Sequence, residues 1–146
     1  MANFPTKKYG VIYADPPWQF KLRSDKGKDR SPEKHYPVLS LADIIRLPVN
    51  TITEDNAVLL MWVCDPMLDQ AFKVIDAWGF TFKTVGFTWA KTNRKKLGFF
   101  TGLGYWTRGN PEMCLLATKG RPKRKAMDVA QLVVAQRGRH SEKPLL

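Results

Sequence analysis

Ala57-Val58-Leu59-Leu60-Met61-Trp62-Val63 is an uninterrupted apolar run of strand length, the pattern of a central strand covered on both faces. Asp65-Pro66 follows and predicts a helix capped by Asp65, with the proline at its first position. Leu68, Ala71, Phe72, Ile75 and Trp78 recur at helical spacing, and Gly79 stands where that helix should stop. Phe82 to Ala90 reads as the next strand. Strand, helix and strand with short joints make a βαβ unit, whose two strands should run parallel.

The flanks extend this pattern. Upstream, Tyr9 to Ala14 is a short buried strand halted by Asp15-Pro16-Pro17, because two prolines cannot continue a ladder. Residues 19–37 are polar and lysine-rich and read as a loop. Ser40 is placed to cap a short helix from Leu41 to Leu47. Downstream, residues 91–111 read as loop, Met113 to Thr118 as a fourth strand and Leu132 to Ala135 as a fifth. The fold class is α/β with a mostly parallel sheet, in one domain over residues 1–146.

Composition narrows the function classes. Twenty-four Lys and Arg against 13 Asp and Glu leave a net charge of +11 on 146 residues, which favours a polyanionic partner. The N-terminal residues lack the apolar core of a secretory signal, and no apolar run reaches membrane-spanning length. Cys64 and Cys114 belong to no metal-ligand cluster. The chain therefore reads as a cytoplasmic protein with reduced thiols, no metal and no membrane contact.

In open α/β sheets, ligands bind beyond the carboxyl ends of strands, and Asp15-Pro16-Pro17-Trp18 occupies that place after the first strand. These residues suit methylation of an exocyclic amine, whose lone pair is delocalised into the ring. The Asp15 carboxylate and the Pro16 carbonyl form an acceptor pair for both amino hydrogens, and the prolines pre-organise it. Trp18 offers a surface for an unstacked base; the alternative is an ordinary core aromatic. Basic residues 21–30, 94–96 and 119–125 lie in loops expected to flank this site and meet nucleic-acid phosphates.

An ordered series of motifs resembles the MT-A-seventy family of adenine-N6 methyltransferases. It runs Asp15-Pro16-Pro17-Trp18, His35-Tyr36-Pro37, Ala77-Trp78-Gly79-Phe80, Trp89-Ala90-Lys91, Gly102-Leu103-Gly104-Tyr105-Trp106, Glu112, Lys119-Gly120 and His140-Ser141-Glu142-Lys143-Pro144. The resemblance implies a Rossmann-like methyltransferase sheet and S-adenosylmethionine as cofactor. It implies catalysis at Asp15, Pro16, Pro17 and Trp18, cofactor contacts from Asp15 and Lys143, and acceptor contacts from Trp18, Tyr36 and Glu112. Each has a plainer reading: Tyr36 and Trp106 as packed aromatics, Glu112 as a solvated strand end, Lys143 as a surface lysine. His140 reads as structural.

The family pattern continues past the Lys-Pro pair with a helix and a Leu-Glu-Leu-Phe-like cofactor strand. The resemblance thus implies an incomplete sheet, lacking a C-terminal segment or supplied by a partner subunit. The expected function is adenine-N6 methylation of nucleic acid, DNA rather than RNA. The alternative is a catalytically silent methyltransferase-like subunit that binds nucleic acid.

Overall fold

The computed structural model describes residues 4–19, 38–139 and 142–144. Its elements are β1 (Tyr9–Ala14), α1 (Leu41–Arg46), β2 (Thr53–Val63), α2 (Leu68–Ala77), β3 (Thr81–Thr92), β4 (Pro111–Lys119) and β5 (Leu132–Gln136). The strands form one sheet in the order β1-β2-β4-β3-β5.

β1 pairs parallel with β2, and β5 parallel with β3, while β4 is antiparallel to both β2 and β3. Four strands therefore share a direction, as the Rossmann-like reading expects. β2 and β3 run parallel but are not neighbours, because β4 inserts between them. Leu59 faces Ala117 on one side of this junction and Val85 faces Leu115 on the other. β4 is apolar enough to be covered on both flanks, with Cys114, Leu115 and Ala117 buried.

The helices cover one face of the sheet. Ala71, Val74 and Ile75 of α2 and Ile44 of α1 pack on Leu59, Met61, Val63, Leu115 and Ala117. Trp78 donates its indole N–H to the Ile44 carbonyl at 3.0 Å and so ties the helices together. α2 ends as its sequence dictates. Gly79 takes φ +87°, and the Gly79 and Phe80 amides close back onto the Asp76 and Ile75 carbonyls, a Schellman closure that only glycine enters freely.

Ser40 caps α1, accepting from the Asp43 amide at 3.2 Å. Asp65 does not cap α2: the chain passes through a 3-10 turn over Asp65–Met67, and no side chain caps either element. Phe72 is half-exposed and packs edge-on against Phe82 with ring centroids 5.0 Å apart. The other sheet face carries a smaller cluster of Trp62, Trp89 and Cys114, flanked by Leu60, Phe87, Val133 and Ala135. Among the described residues no helix is long and apolar enough to cross a membrane. Cys64 and Cys114 are free thiols whose pKa burial pushes up to about 12.

Candidate active site

The inserted strand assembles the site. β1, β2 and β3 end at one edge of the sheet, and β4, running the other way, begins there. Asp15 follows β1, Asp65 follows β2, Lys91 closes β3, and Glu112 opens β4 opposite Trp89. Lys143 reaches this edge from the C-terminal segment. Its Nζ lies 3.2 Å from Asp15 Oδ2 and 3.4 Å from Glu112 Oε2, while Lys91 Nζ lies 2.7 Å from Glu112 Oε1. The charges alternate along the line Lys91, Glu112, Lys143, Asp15.

Two buried tryptophans underlie the ammonium groups. Lys143 sits over the Trp62 ring at 5.6 Å and Lys91 over Trp89 at 5.2 Å. The two rings meet edge to face with centroids 6.3 Å apart. Trp62 donates its indole N–H to the Tyr13 hydroxyl at 2.7 Å, and Trp89 donates to the Ala135 carbonyl at 2.9 Å. Both floors are therefore locked by hydrogen bonds as well as by packing.

Burial raises the Asp15 pKa above the usual carboxylate range; Lys143 pulls it back, and Glu112 adds a smaller push upward. Lys143 is held above the ordinary lysine range: its burial works against the charge, but Glu112 and Asp15 together outweigh that. Asp65 is also raised, by burial first and then by Glu112, with Lys91 opposing. Paired titratable groups with displaced pKa values make this edge the candidate functional site.

Asp15, Glu112 and Lys143, all members of the motif series, come together at this edge. The Pro16 carbonyl accepts from the Trp18 amide at 2.8 Å, and the Pro17 carbonyl from the Leu39 amide at 3.1 Å, so the double-proline turn is fixed on both sides. One Pro16 lone pair remains for a further donor.

Trp18 requires a correction. Its ring is 4% exposed, belongs to the helix-side core and donates to the Trp62 carbonyl at 3.0 Å. A ring so buried has no open face on which a base can stack. Trp106, by contrast, is 91% exposed. It tops the β3–β4 connection at φ +67°, a left-handed conformation rare for a bulky side chain. The Gly102–Gly109 and Gly109–Leu103 backbone bonds brace that tip.

The basic segments also divide. Residues 94–96 follow β3 at the site edge, but Lys119 closes β4 at the opposite edge, so the 119–125 turn does not flank Asp15. Tyr36, His140 and the basic stretch 21–30 lie outside the described residues. Among the described residues no group of three or more His, Cys, Asp or Glu is arranged to hold a metal ion. The sequence reading gives no site role to Lys91, Asp65, Trp62 or Trp89: Asp65 reads as a helix cap, and Trp89 and Lys91 stand in the motif series without an assignment.

The MT-A70 family profile matches residues 9–146. The chain belongs to the MT-A70 family. Within reach of this MT-A70 chain is the Type II methyltransferase M.MunI of Mycoplasma sp, 36% identical over 159 residues, covering 97% of this chain and 65% of M.MunI. The N(6)-adenosine-methyltransferase catalytic subunit METTL3 of Homo sapiens is 27% identical over 140 residues, covering 94% of this chain and 22% of METTL3. The MT-A70-like N(6)-adenosine-methyltransferase of Arabidopsis thaliana is 26% identical over 137 residues, covering 93% of this chain and 18% of that protein. This chain thus spans less than two thirds of the length of each of these relatives.

Proposed function

We propose that this MT-A70 chain is an S-adenosylmethionine-dependent adenine-N6 methyltransferase of nucleic acid, acting on DNA in preference to RNA in the cytoplasm. The observation that carries the reading is the Asp15–Lys143 pair at 3.2 Å, at the carboxyl end of β1 and beside Glu112. The greater identity to a Type II methyltransferase than to METTL3 favours DNA.

The cofactor's amino-acid end carries one positive and one negative group, and the Asp15 carboxylate and Lys143 ammonium match that donor set. When bound, the cofactor supplies an activated methyl group on a sulfonium. The chain's own residues do the rest. Asp15 Oδ1 and the second lone pair of the Pro16 carbonyl accept the two amino hydrogens of adenine, which draws the nitrogen toward a tetrahedral shape. The fixed Pro16-Pro17 turn holds those acceptors in place before the base arrives. A carboxylate with a raised pKa is suited to take the proton that the amino nitrogen sheds. Glu112, held between Lys91 and Lys143, faces the acceptor side. The exposed Trp106 takes the stacking role first assigned to Trp18, with Arg94, Lys95, Lys96 and Arg108 of the same β3–β4 connection for phosphates.

Transfer of labelled methyl to an adenine-containing duplex tests this. Wild type labels adenine N6, duplex DNA outpaces RNA of the same sequence, and Asp15→Asn is inactive. Labelling at another base, or an Asp15→Asn variant with wild-type rates, overturns the reading.

A further inference from the structure

The sheet has a second basic end. From Glu112 to Lys119, β4 rises through seven steps, or about 23 Å at roughly 3.3 Å per residue. At that far edge the chain turns through Lys119-Gly120-Arg121-Pro122-Lys123-Arg124-Lys125. Lys7 and Lys8 stand at the same edge, just before β1, whose Tyr9 lies opposite Thr53. Arg121, Lys123, Arg124 and Lys125 are exposed, and none makes an ion pair among the described residues. Glu54 and Asp55 at the start of β2 offset only part of this charge.

The turn is built rather than loose. Gly120 adopts φ +66°, where an added Cβ would overlap Asn56 Oδ1 and the Asp55 carbonyl. The Arg121 amide donates to that same Asn56 oxygen at 2.8 Å. Lys119 remains in register opposite Ala57. Pro122 limits the backbone further. A run of cations on a fixed backbone loses less entropy on binding than one on a free loop.

We infer that this turn, together with Lys7 and Lys8, is a second phosphate-binding surface for the nucleic acid, separate from the edge that carries Asp15. The inference rests on nucleic acid being the substrate, and it adds a contact away from the reacting base. At about 3.4 Å per base pair, 23 Å corresponds to about seven base pairs. Nucleic acid that touches both edges must therefore extend at least that far past the target adenine.

The test compares the full chain with a Lys123→Gln/Arg124→Gln/Lys125→Gln variant on two duplexes, in binding titrations without cofactor across a salt series. On a duplex extending about 15 base pairs to either side of the target, the variant's log–log salt slope should be shallower by about 2.7, at roughly 0.9 per phosphate lost. With methyl transfer read in parallel, KM should rise about tenfold, or about 1.4 kcal/mol, at unchanged kcat. On a duplex ending within about five base pairs of the target, short of the seven steps set by helix rise, variant and wild type should coincide. Equal slopes on the long duplex overturn the proposal, as does an equal loss on the short one. Phosphatidylserine vesicles that bind with the same three-charge dependence would assign the turn to a membrane surface and also overturn it. Because the slopes need no chemistry, they test this surface even where no methyl transfer is found.

Discussion

At the level of single residues, Asp15 makes the sharpest demands. Its pKa is raised in the fold by burial, so the stability linked to its protonation is present below the ordinary carboxylate range and lost as pH rises through the raised value. Its side chain is about half-exposed, so at neutral pH the ionised group costs the fold little. Asp15→Asn should therefore melt no earlier than wild type at pH 7 while losing methyl transfer; an early-melting variant would show that Asp15 is mainly structural. Lys143 is the group that pulls the Asp15 pKa down, so Lys143→Met should shift the acid limb of the pH–rate profile upward, with partial rescue by Lys143→Arg. An unmoved limb would mean that the two charges are not coupled. The tryptophans separate cleanly. Trp18→Ala should cost about 3–5 kcal/mol in a denaturation experiment, as buried aromatic truncations do. Trp106→Ala should weaken nucleic-acid binding by about 1–3 kcal/mol in a binding titration. Asp15, Glu112 and Lys143 were legible in the sequence because their motifs occur in a fixed order. The burial of Trp18 was not, since a tryptophan after a proline turn looks the same in sequence whether the chain folds over it or leaves it open.

Among the elements, every strand was legible, and β2, α2 and β3 were read in their order and direction. Apolar runs and helical spacing are local properties. The placement of β4 between β2 and β3 was not readable, because pairing partners depend on which edges remain open once α2 has packed. The role of Asp65 was misread for a related reason. Asp-Pro is a common helix start, but here a 3-10 turn intervenes and leaves the carboxylate at the site edge. Glycine at the far turn offers a direct test of how firmly an element boundary is set. Gly120→Ala places a Cβ against Asn56 and Asp55 in a left-handed conformation and should destabilise the chain by about 1–3 kcal/mol. Thermal melting checks this; a neutral substitution would show that the turn is not rigidly held.

Across the whole molecule the net charge is +11, and among the described residues basic segments stand at two opposed edges of one sheet. Composition showed the excess but could not divide it, since sequence neighbours such as Glu112 and Lys119 end up at opposite edges of the same strand. The two edges should respond differently to substrate length. Neutralising Arg94, Lys95 and Lys96 should reduce kcat/KM on short and long duplexes alike, whereas the far turn should matter only on long ones; a common length dependence would contradict the division. The Asp15–Lys143 contact has a further consequence, in the time domain. It joins the residue just after the first strand to one that follows the last, so every described element but β1 lies inside the loop it closes. Contacts of such sequence separation form slowly, because the entropy of closure is lost before the contact forms. During synthesis the double-proline turn and all five strands are translated before Lys143. The site is therefore completed last: Asp15 and Trp62 are both made before the ammonium that joins them.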